Sequence, residues 1–391
     1  MNESTLNHKH AMEIIRRFMK YLRMQRASCS TPPDAGYFYL PYRHNGTSID
    51  LPLGFIGTCG CSWAQEGGCT ICDYGGYARS STPLEARKQL HRLFREWNFP
   101  RVVNLSALGS IFDQTEVSHD TRTVFFETLR QMPNLEYVGV ESRSEFVTAE
   151  AVREALECLG PIKLDIGMGL ESVDDTIRNI ILNKSLDLNT YVNAVGILKD
   201  LHVLPVTHVF FKPPLLTERE SIEDVKHTIR FACSVRSHRI VLMLSNIKEY
   251  TLTWWLMSRG QYRVPWLWSV LKALLDLEDE CLEGLLVYGF ECGVNMMDTA
   301  RNCPICTTAI RGAIDEFNKT GRRSALLRAW KIKCTCRNEW EMELFSERQV
   351  AIDQRIQWLV SELESYLGNT GDFTTSGAIP RSKLCLTKTR S

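Results

Sequence analysis

Short apolar runs alternate with longer segments of helical periodicity between residues 50 and 250 of the chain. The runs predict six β-strands, and the segments between them predict helices. The predicted strands are Leu51–Gly57, Arg101–Leu105, Tyr137–Glu141, Lys163–Gly167, Pro205–Phe211 and Arg239–Ser245. The predicted helices are Thr82–Glu96, Asp120–Gln131, Ala149–Leu159, Asp175–Asn183, Leu188–Leu201 and Glu218–Val235. This alternation indicates an α/β fold of parallel strands with right-handed crossovers, in which functional residues lie where strands end.

The regions outside this repeat have different patterns. Residues 11–27 predict an amphipathic helix that packs on the core and leaves a basic face outward. Gly284–Phe290 predicts a further strand and Glu347–Tyr366 a helix, whereas the last 25 residues have almost no apolar pattern and predict disorder. We therefore expect four regions: an N-terminal helix and arm at 1–36, a core at 37–250, an extension at 251–366 and a tail at 367–391.

Composition narrows the functional classes. The 46 basic and 46 acidic residues give a formal net charge of zero, which argues against wholesale wrapping of nucleic acid but permits a local basic patch. Neither a signal peptide nor an apolar run of membrane-spanning length is evident, so we expect a cytoplasmic protein without membrane contact. The 14 cysteines are then reduced, and clustered ones are first considered as metal ligands.

The first cysteine group lies directly after the first predicted strand, in the glycine-rich segment 57–77. Cys59, Cys61, Cys69 and Cys72 permit three interpretations: a structural zinc site, a redox pair of Cys69 and Cys72, or a [4Fe–4S] cluster held by three thiolates with one iron open. The single residue between Cys59 and Cys61 is unusual for zinc. Spacing alone does not decide among the three.

A resemblance favours the cluster. Cys61, seven residues, Cys69, two residues, Cys72 and then Tyr74 resemble the cluster loop of the radical S-adenosylmethionine superfamily, in the branch of the elongator catalytic subunit and, more closely, the archaeosine-biosynthesis radical enzyme family (RaSEA). Later segments resemble that family in the same order. They are 105–113, 140–146 (where Ser144 replaces the usual proline), Gly169-Leu-Glu-Ser172, Asn183-Lys184 and 212–218. The resemblance spans roughly residues 37–235.

The resemblance implies a partial (β/α)6 TIM-like barrel of the radical S-adenosylmethionine type with a C-terminal, cysteine-containing α+β extension. Its cofactors would be a [4Fe–4S] cluster on Cys61, Cys69 and Cys72, with Cys59 a bystander, and S-adenosylmethionine. By the same resemblance, six side chains at strand ends would contact that cofactor or the substrate. Ser106 and Ser110 would approach the methionyl amino group, Glu141 and Arg143 the methionyl part or substrate, Glu171 the ribose, and Lys212 the adenine side or substrate. Without the resemblance, each of the charged residues is equally well a cap, turn or ion-pair residue.

The second cysteine group comprises two pairs, Cys303/Cys306 and Cys334/Cys336. Two such pairs predict a four-sulfur zinc site, with Cys292 as a spare ligand, a second iron–sulfur cluster as the alternative and unligated thiols as the simplest account. Basic residues around it could contact RNA phosphates, although a solvated basic face is simpler. They are Arg322, Arg323, Arg328, Lys331, Lys333 and Arg337.

The resemblance implies a radical enzyme that cleaves a C–N bond in a lysine-modified 7-deazaguanine base of tRNA. Its partners would be an electron donor such as a ferredoxin or flavodoxin, the tRNA, and a transferase that installs the lysine. One alternative is a related radical enzyme acting on a small metabolite or natural-product intermediate, which the neutral charge favours slightly. The other is a non-catalytic zinc- or RNA-binding protein, against which the ordered strand-end motifs argue.

Overall fold

The computed structural model describes residues 7–27, 36–74, 82–290, 296–347 and 350–369. Its centre is an eight-stranded, nearly closed sheet in the order β1-β2-β3-β4-β5-β6-β7-β9. The first pair is antiparallel, and the pairs from β2 to β9 are parallel. The strands are β1 Tyr37–His44, β2 Thr47–Phe55, β3 Val102–Ser106, β4 Tyr137–Glu141, β5 Lys163–Glu171, β6 Leu204–Phe211, β7 Arg239–Leu244, β8 Asn246–Lys248, β9 Leu285–Tyr288 and β10 Met296–Thr299.

Helices follow the parallel strands, as the alternation predicts. They are α1 His8–Ala27, α2 Ser62–Gln65, α3 Pro83–Glu96, α4 His119–Arg130, α5 Ala149–Leu159, α6 Leu188–Asp200, α7 Glu218–Ser234, α8 Leu252–Met257, α9 Leu267–Leu275, α10 Asp279–Glu283, α11 Pro304–Thr320, α12 Arg323–Trp330, α13 Cys336–Ser346 and α14 Ile352–Asn369. A 3-10 turn spans Ser144–Phe146, and a π-helix spans Thr176–Ile181. The predicted α/β barrel class is confirmed.

Three details differ from the sequence-based expectation. The strand β1 was not predicted; it pairs with β2 through a tight turn in which Asn45 and Gly46 have φ of +47° and +76°. The segment Asp175–Asn183 is predicted as an α-helix, but its central part, Thr176–Ile181, forms the π-helix. A π-helix has wider turns than an α-helix, and Asn183 follows it by two residues. The predicted tail begins within α14, and from residue 370 it lies outside the described residues.

The sheet is curved so that its two edges approach each other. The Tyr288 hydroxyl on β9 donates to the carbonyl of Pro41 on β1 at 3.0 Å. Apolar side chains from the two edge strands and those between them fill the inner face, among them Leu40, Leu51 and Val241. Helices cover the outer face with two larger apolar clusters. The curvature brings the carboxyl ends of the parallel strands together at one rim.

The flanking regions pack on this barrel. Helix α1 buries Ile15, Phe18 and Leu22 in a cluster shared with α14, which agrees with its predicted amphipathic pattern. Strand β9 extends the main sheet although it follows the expected boundary at residue 250, so the division into regions stays a prediction. No helix among the described residues has both the length and the apolar character needed to cross a membrane.

Candidate active site and metal centre

The loop after β2, residues 56–74, carries the three cysteines predicted to hold the cluster and is called the cluster loop below. Cys61 immediately precedes α2, and Cys69 and Cys72 lie in one turn in which the Cys72 amide donates to the Cys69 carbonyl at 3.3 Å. Burial and then the Glu116 and Cys69 charges raise the pKa of Cys61, whereas burial and then Cys69 raise the pKa of Cys72 to about 12. Cys69 therefore lies near enough to both thiols to influence them, although among the described residues only the second cysteine group has its sulfurs within 4.8 Å of one another. Cys59 is exposed.

The segment that follows the π-helix holds this loop from one side. The Asn183 amide donates to the Gly68 carbonyl at 2.7 Å, and the Trp63 indole donates to the Asn183 carbonyl at 2.7 Å. The Thr70 hydroxyl donates to the Ile181 carbonyl at 2.9 Å. Asn183 itself adopts φ of +49°, a conformation that asparagine tolerates better than most residues. The cluster loop is therefore tied to a segment more than 110 residues away.

The serines predicted after β3 connect two strand ends. The Ser106 hydroxyl donates to the Glu141 carboxylate at 2.6 Å, and the Ser110 hydroxyl accepts from the Arg143 amide at 3.1 Å. Both serines are buried. The ends of β3 and β4 thus form one polar unit at the rim, with Glu141 oriented by Ser106.

Arg143 lies between this unit and the cluster loop. Its guanidinium pairs with Glu145 at 2.6 Å and donates to the Lys184 carbonyl at 3.1 Å. It also stacks over the Trp63 ring at 5.5 Å from the ring centroid. The carboxylate that neutralises Arg143 is therefore Glu145, which leaves Glu141 to Ser106.

Glu171 ends β5 in a strained conformation. It has φ of +65°, and the pairing of β5 with β6 shifts register at this point. Its carboxylate pairs with Lys184 at 2.9 Å, and both side chains are largely buried. Although burial lowers the pKa of Lys184, the charges of Glu171 and then Cys69 raise it above its ordinary value. Glu171 and Lys184 therefore lie beside the cluster loop.

Lys212 occupies the end of β6, where its ammonium makes a buried ion pair with Glu218 at the start of α7. The residue has φ of +68°, and the Tyr262 hydroxyl donates to its carbonyl at 2.6 Å. The structure thus brings Ser106, Ser110, Glu141, Arg143 and Glu171 into one hydrogen-bonded region near the cysteines. The Lys212 ammonium lies apart from this region, because it is paired with Glu218 of α7.

The second cysteine group converges on a single point. Cys303 and Cys306 lie at the start of α11, and Cys334 and Cys336 at the start of α13. The Sγ–Sγ separations are 3.8 Å for 303–306, 3.3 Å for 303–334, and 3.5 Å for both 306–336 and 334–336. The Trp268 indole donates to the Cys336 sulfur at 3.4 Å. The four sulfurs could hold one metal ion. The spare candidate Cys292 lies outside the described residues.

Three of the six basic residues near these cysteines have acidic or aromatic neighbours, among them Arg323, which pairs with Asp279 at 2.7 Å. Arg328 pairs with Glu316, and Arg337 pairs with Glu341 at 3.2 Å and stacks 3.9 Å from the Trp330 ring centroid. These contacts give the three arginines structural partners.

Comparison with known proteins places the chain. No family model matches it. Over 304 residues it is 30% identical to archaeosine synthase subunit beta of Methanosarcina acetivorans, which covers 77% of this chain and 86% of that protein. The chain belongs to the archaeosine synthase subunit beta family.

Two further similarities are found, one to a relative of the same name and one to a solved structure. The protein of the same name from Thermococcus kodakarensis is 29% identical over 243 residues, covering 62% of this chain and 74% of that one. The solved structure of methylornithine synthase aligns over 84% of this chain and 97% of its own at 14% identity, with a TM-score of 0.45. This membership confirms the predicted enzyme class, that of a radical S-adenosylmethionine enzyme, in preference to the non-catalytic alternative.

Two glycines of β5 lie where a side chain would collide with polar groups of the site. A Cβ on Gly169 would lie 2.3 Å from the Lys184 ammonium, and one on Gly167 would lie 2.9 Å from the His208 imidazole. Gly167, His208 and Glu141 also line a small cavity of about 40 Å³ inside the barrel. Thiolates beside a rim of polar side chains, with glycines in place of larger residues, fit a cluster and the cofactor that binds it.

Two residues that support the site were not predicted from the sequence. Glu116 is buried, and its carboxylate accepts from the amides of Ser62 at 2.6 Å and Ser110 at 2.5 Å. Arg23 on α1, expected on a solvated basic face, donates to backbone carbonyls of the cluster loop. Both side chains bind backbone amides or carbonyls. Because nearly every residue has these groups, such contacts produce no recognisable pattern in the amino-acid sequence. For Glu116 the only signal is an acid within a loop of small residues.

Proposed function

We propose that this chain uses a [4Fe–4S] cluster on Cys61, Cys69 and Cys72 to cleave S-adenosylmethionine, and that it acts on a lysine-modified 7-deazaguanine base of tRNA by breaking a C–N bond. The observation that carries the proposal is the similarity to archaeosine synthase subunit beta over 77% of the chain. The position of the three cysteines in one loop that is hydrogen-bonded to the segment 181–183 beside the polar rim supports it.

The bound cluster and S-adenosylmethionine would supply the electron and the 5′-deoxyadenosyl radical that abstracts a substrate hydrogen. Glu141, oriented by Ser106 at 2.6 Å, would accept from the methionyl amino group. Glu171, held by Lys184, would accept from the ribose hydroxyls. Arg143 would face a carboxylate, for which its planar donors are suited. Lys212 would contact the cofactor or substrate only by leaving Glu218.

For the second cysteine group we propose zinc. A tetrahedral ion with Zn–S bonds of about 2.3 Å places its sulfurs about 3.8 Å apart. The four close sulfur pairs measure 3.3–3.8 Å, whereas a four-iron cluster holds its cysteines farther apart. Such an ion would join the start of α11 to the start of α13.

The proposal implies several partners. A ferredoxin or flavodoxin would deliver the electron in the cytosol, where the tRNA substrate is found. The relatives are named as beta subunits, which supports a partner subunit, and we propose that it is the lysine transferase.

The substrate is tested with anaerobically reconstituted protein, S-adenosylmethionine and dithionite. Three arms compare tRNA carrying the lysine-modified base, the same tRNA without lysine, and the free lysine-modified base. We expect archaeosine, and 5′-deoxyadenosine above the background rate, only with the modified tRNA. Turnover of the free base but not the tRNA would overturn the tRNA assignment and favour the small-molecule alternative.

A further inference from the structure

The N-terminal helix lies outside the barrel, yet one of its side chains reaches the cluster loop. The Arg23 guanidinium donates to the carbonyls of Gly67 at 2.5 Å, Cys69 at 3.3 Å and Cys72 at 3.2 Å. Two of these carbonyls belong to proposed cluster ligands. We propose that Arg23 is a positioning residue that holds the cluster loop in its cluster-binding shape. The inference rests on the cysteine assignment made under the proposed function.

A second contact lies one helical turn along α1. Arg26 donates to the Asp73 carbonyl at 2.7 Å, and its guanidinium lies 3.6 Å from the Asp73 carboxylate. Lys248 on β8 approaches the same carboxylate at 3.1 Å. Residues three apart share a helix face, so Arg23 and Arg26 hold the loop on both sides of Cys72.

The loop has glycines where α1 approaches it. Gly67 has φ of +110°, and a Cβ there would lie 2.7 Å from the Arg16 carbonyl. Gly68 has φ of +72°, and a Cβ there would lie 2.5 Å from the Arg23 guanidinium. Both the backbone conformation and the available space therefore require glycine. The Gly-Gly pair before Cys69 is what allows the helix to contact the loop.

The opposite face of α1 makes it a rigid support. Phe18 is fully buried, with its ring centroid 5.1 Å from Trp255 and 5.8 Å from Tyr366. A planar guanidinium on a fixed helix donates in several directions at once, which a lysine ammonium on a flexible stem does less well. The three hydrogen bonds from Arg23 to the loop, called the clamp below, thus hold the carbonyls of Cys69 and Cys72 through protein contacts alone.

The test compares full-length Arg23→Met and Arg23→Lys with wild type. Arg17→Met is the matched control, since Arg17 is exposed on the same helix. The readouts are the melting temperature, the rate at which iodoacetamide modifies Cys69 and Cys72 in the iron-free protein, and the iron retained after anaerobic reconstitution and gel filtration. We expect Arg23→Met to be folded, to react about tenfold faster as the loop opens, and to lose more than half of its iron. Arg23→Lys should be intermediate and Arg17→Met unchanged.

Wild-type alkylation and iron retention in Arg23→Met would overturn the inference. If that variant does not fold, Arg23→Lys decides, because it keeps the charge but lacks the fork; wild-type behaviour in it would equally refute the clamp. Cys69→Ala separates this from the proposed function. Full iron in Cys69→Ala would refute the cluster assignment itself, whereas iron loss there with normal Arg23 variants would refute only the clamp.

Discussion

Replacing Glu116 by glutamine removes one of the two acceptors that join the cluster loop to the loop after β3. The carboxylate is only 2% exposed and accepts from the Ser62 amide at 2.6 Å and the Ser110 amide at 2.5 Å. A glutamine side chain has one acceptor oxygen, so its NH₂ group would face one of these N–H donors. The perturbation is nearly isosteric and therefore changes the hydrogen bonds and the charge of the side chain but not its packing volume.

The expected magnitude follows from the burial. A buried N–H without an acceptor costs about 1–3 kcal/mol. Burial raises the pKa of Glu116, so removing the charge also relieves part of a desolvation penalty. We expect a net loss of about 1–2 kcal/mol for Glu116→Gln and about 2–4 kcal/mol for Glu116→Ala, in which both donors lose their acceptor. At about 2.1 cal/mol/K per residue, the former lowers the melting temperature by roughly 1–3 °C.

The assay is calorimetry of the iron-free protein at pH 7.5, followed by iron determination after reconstitution. Glu127→Gln on the exposed side of α4 is the control and should leave both quantities unchanged. We expect iron retention to fall in the order wild type, Glu116→Gln, Glu116→Ala, because Ser62 adjoins Cys61. Wild-type melting and iron content in both Glu116 variants would refute the reasoning.

Three further outcomes are expected. Lys184→Met leaves the Glu171 carboxylate buried without its partner and should cost about 3–5 kcal/mol in urea unfolding, with partial recovery in the double variant with Glu171→Gln; additive losses would contradict the pairing. Burial raises the pKa of Asp224 to about 7, so its contribution to stability is present at low pH and is lost as the pH rises through 7. Asp224→Asn should therefore melt higher than wild type at pH 8 but not at pH 5, and a pH-independent difference would argue against this. Cys306→Ser should abolish zinc copurification, which Cys158→Ser should not; retained zinc would refute the site.

The barrel was predictable because its strands and helices carry local periodic patterns. The predicted Tyr137–Glu141 and Ala149–Leu159 are the observed β4 and α5. The missed strand β1 also had a signal, because Asn45-Gly46 between alternating residues is typical of a two-residue hairpin turn. The π-helix had none, since its i to i+5 pattern differs little from an α-helix in sequence.

Contacts within the site were less predictable because they join distant residues. The cysteine spacing and strand-end polar residues indicated where the chemistry lies. The partners of these residues depend on tertiary packing: Arg143 pairs with Glu145 rather than Glu141, and the Lys212 ammonium is bound by Glu218. Arg23 binds backbone carbonyls, for which no sequence pattern exists.

The account depends most directly on the three thiolates of the cluster loop. Anaerobic reconstitution of wild type and of the single alanine variants of Cys61, Cys69 and Cys72, each assayed for bound iron and for 5′-deoxyadenosine released from S-adenosylmethionine, tests them together. Because Cys59 is exposed and belongs to the same loop, Cys59→Ala is the control. We predict about four irons and cofactor cleavage in wild type and Cys59→Ala, and the loss of cleavage in each of the other three variants. Undiminished cleavage in any one of those three would contradict the account.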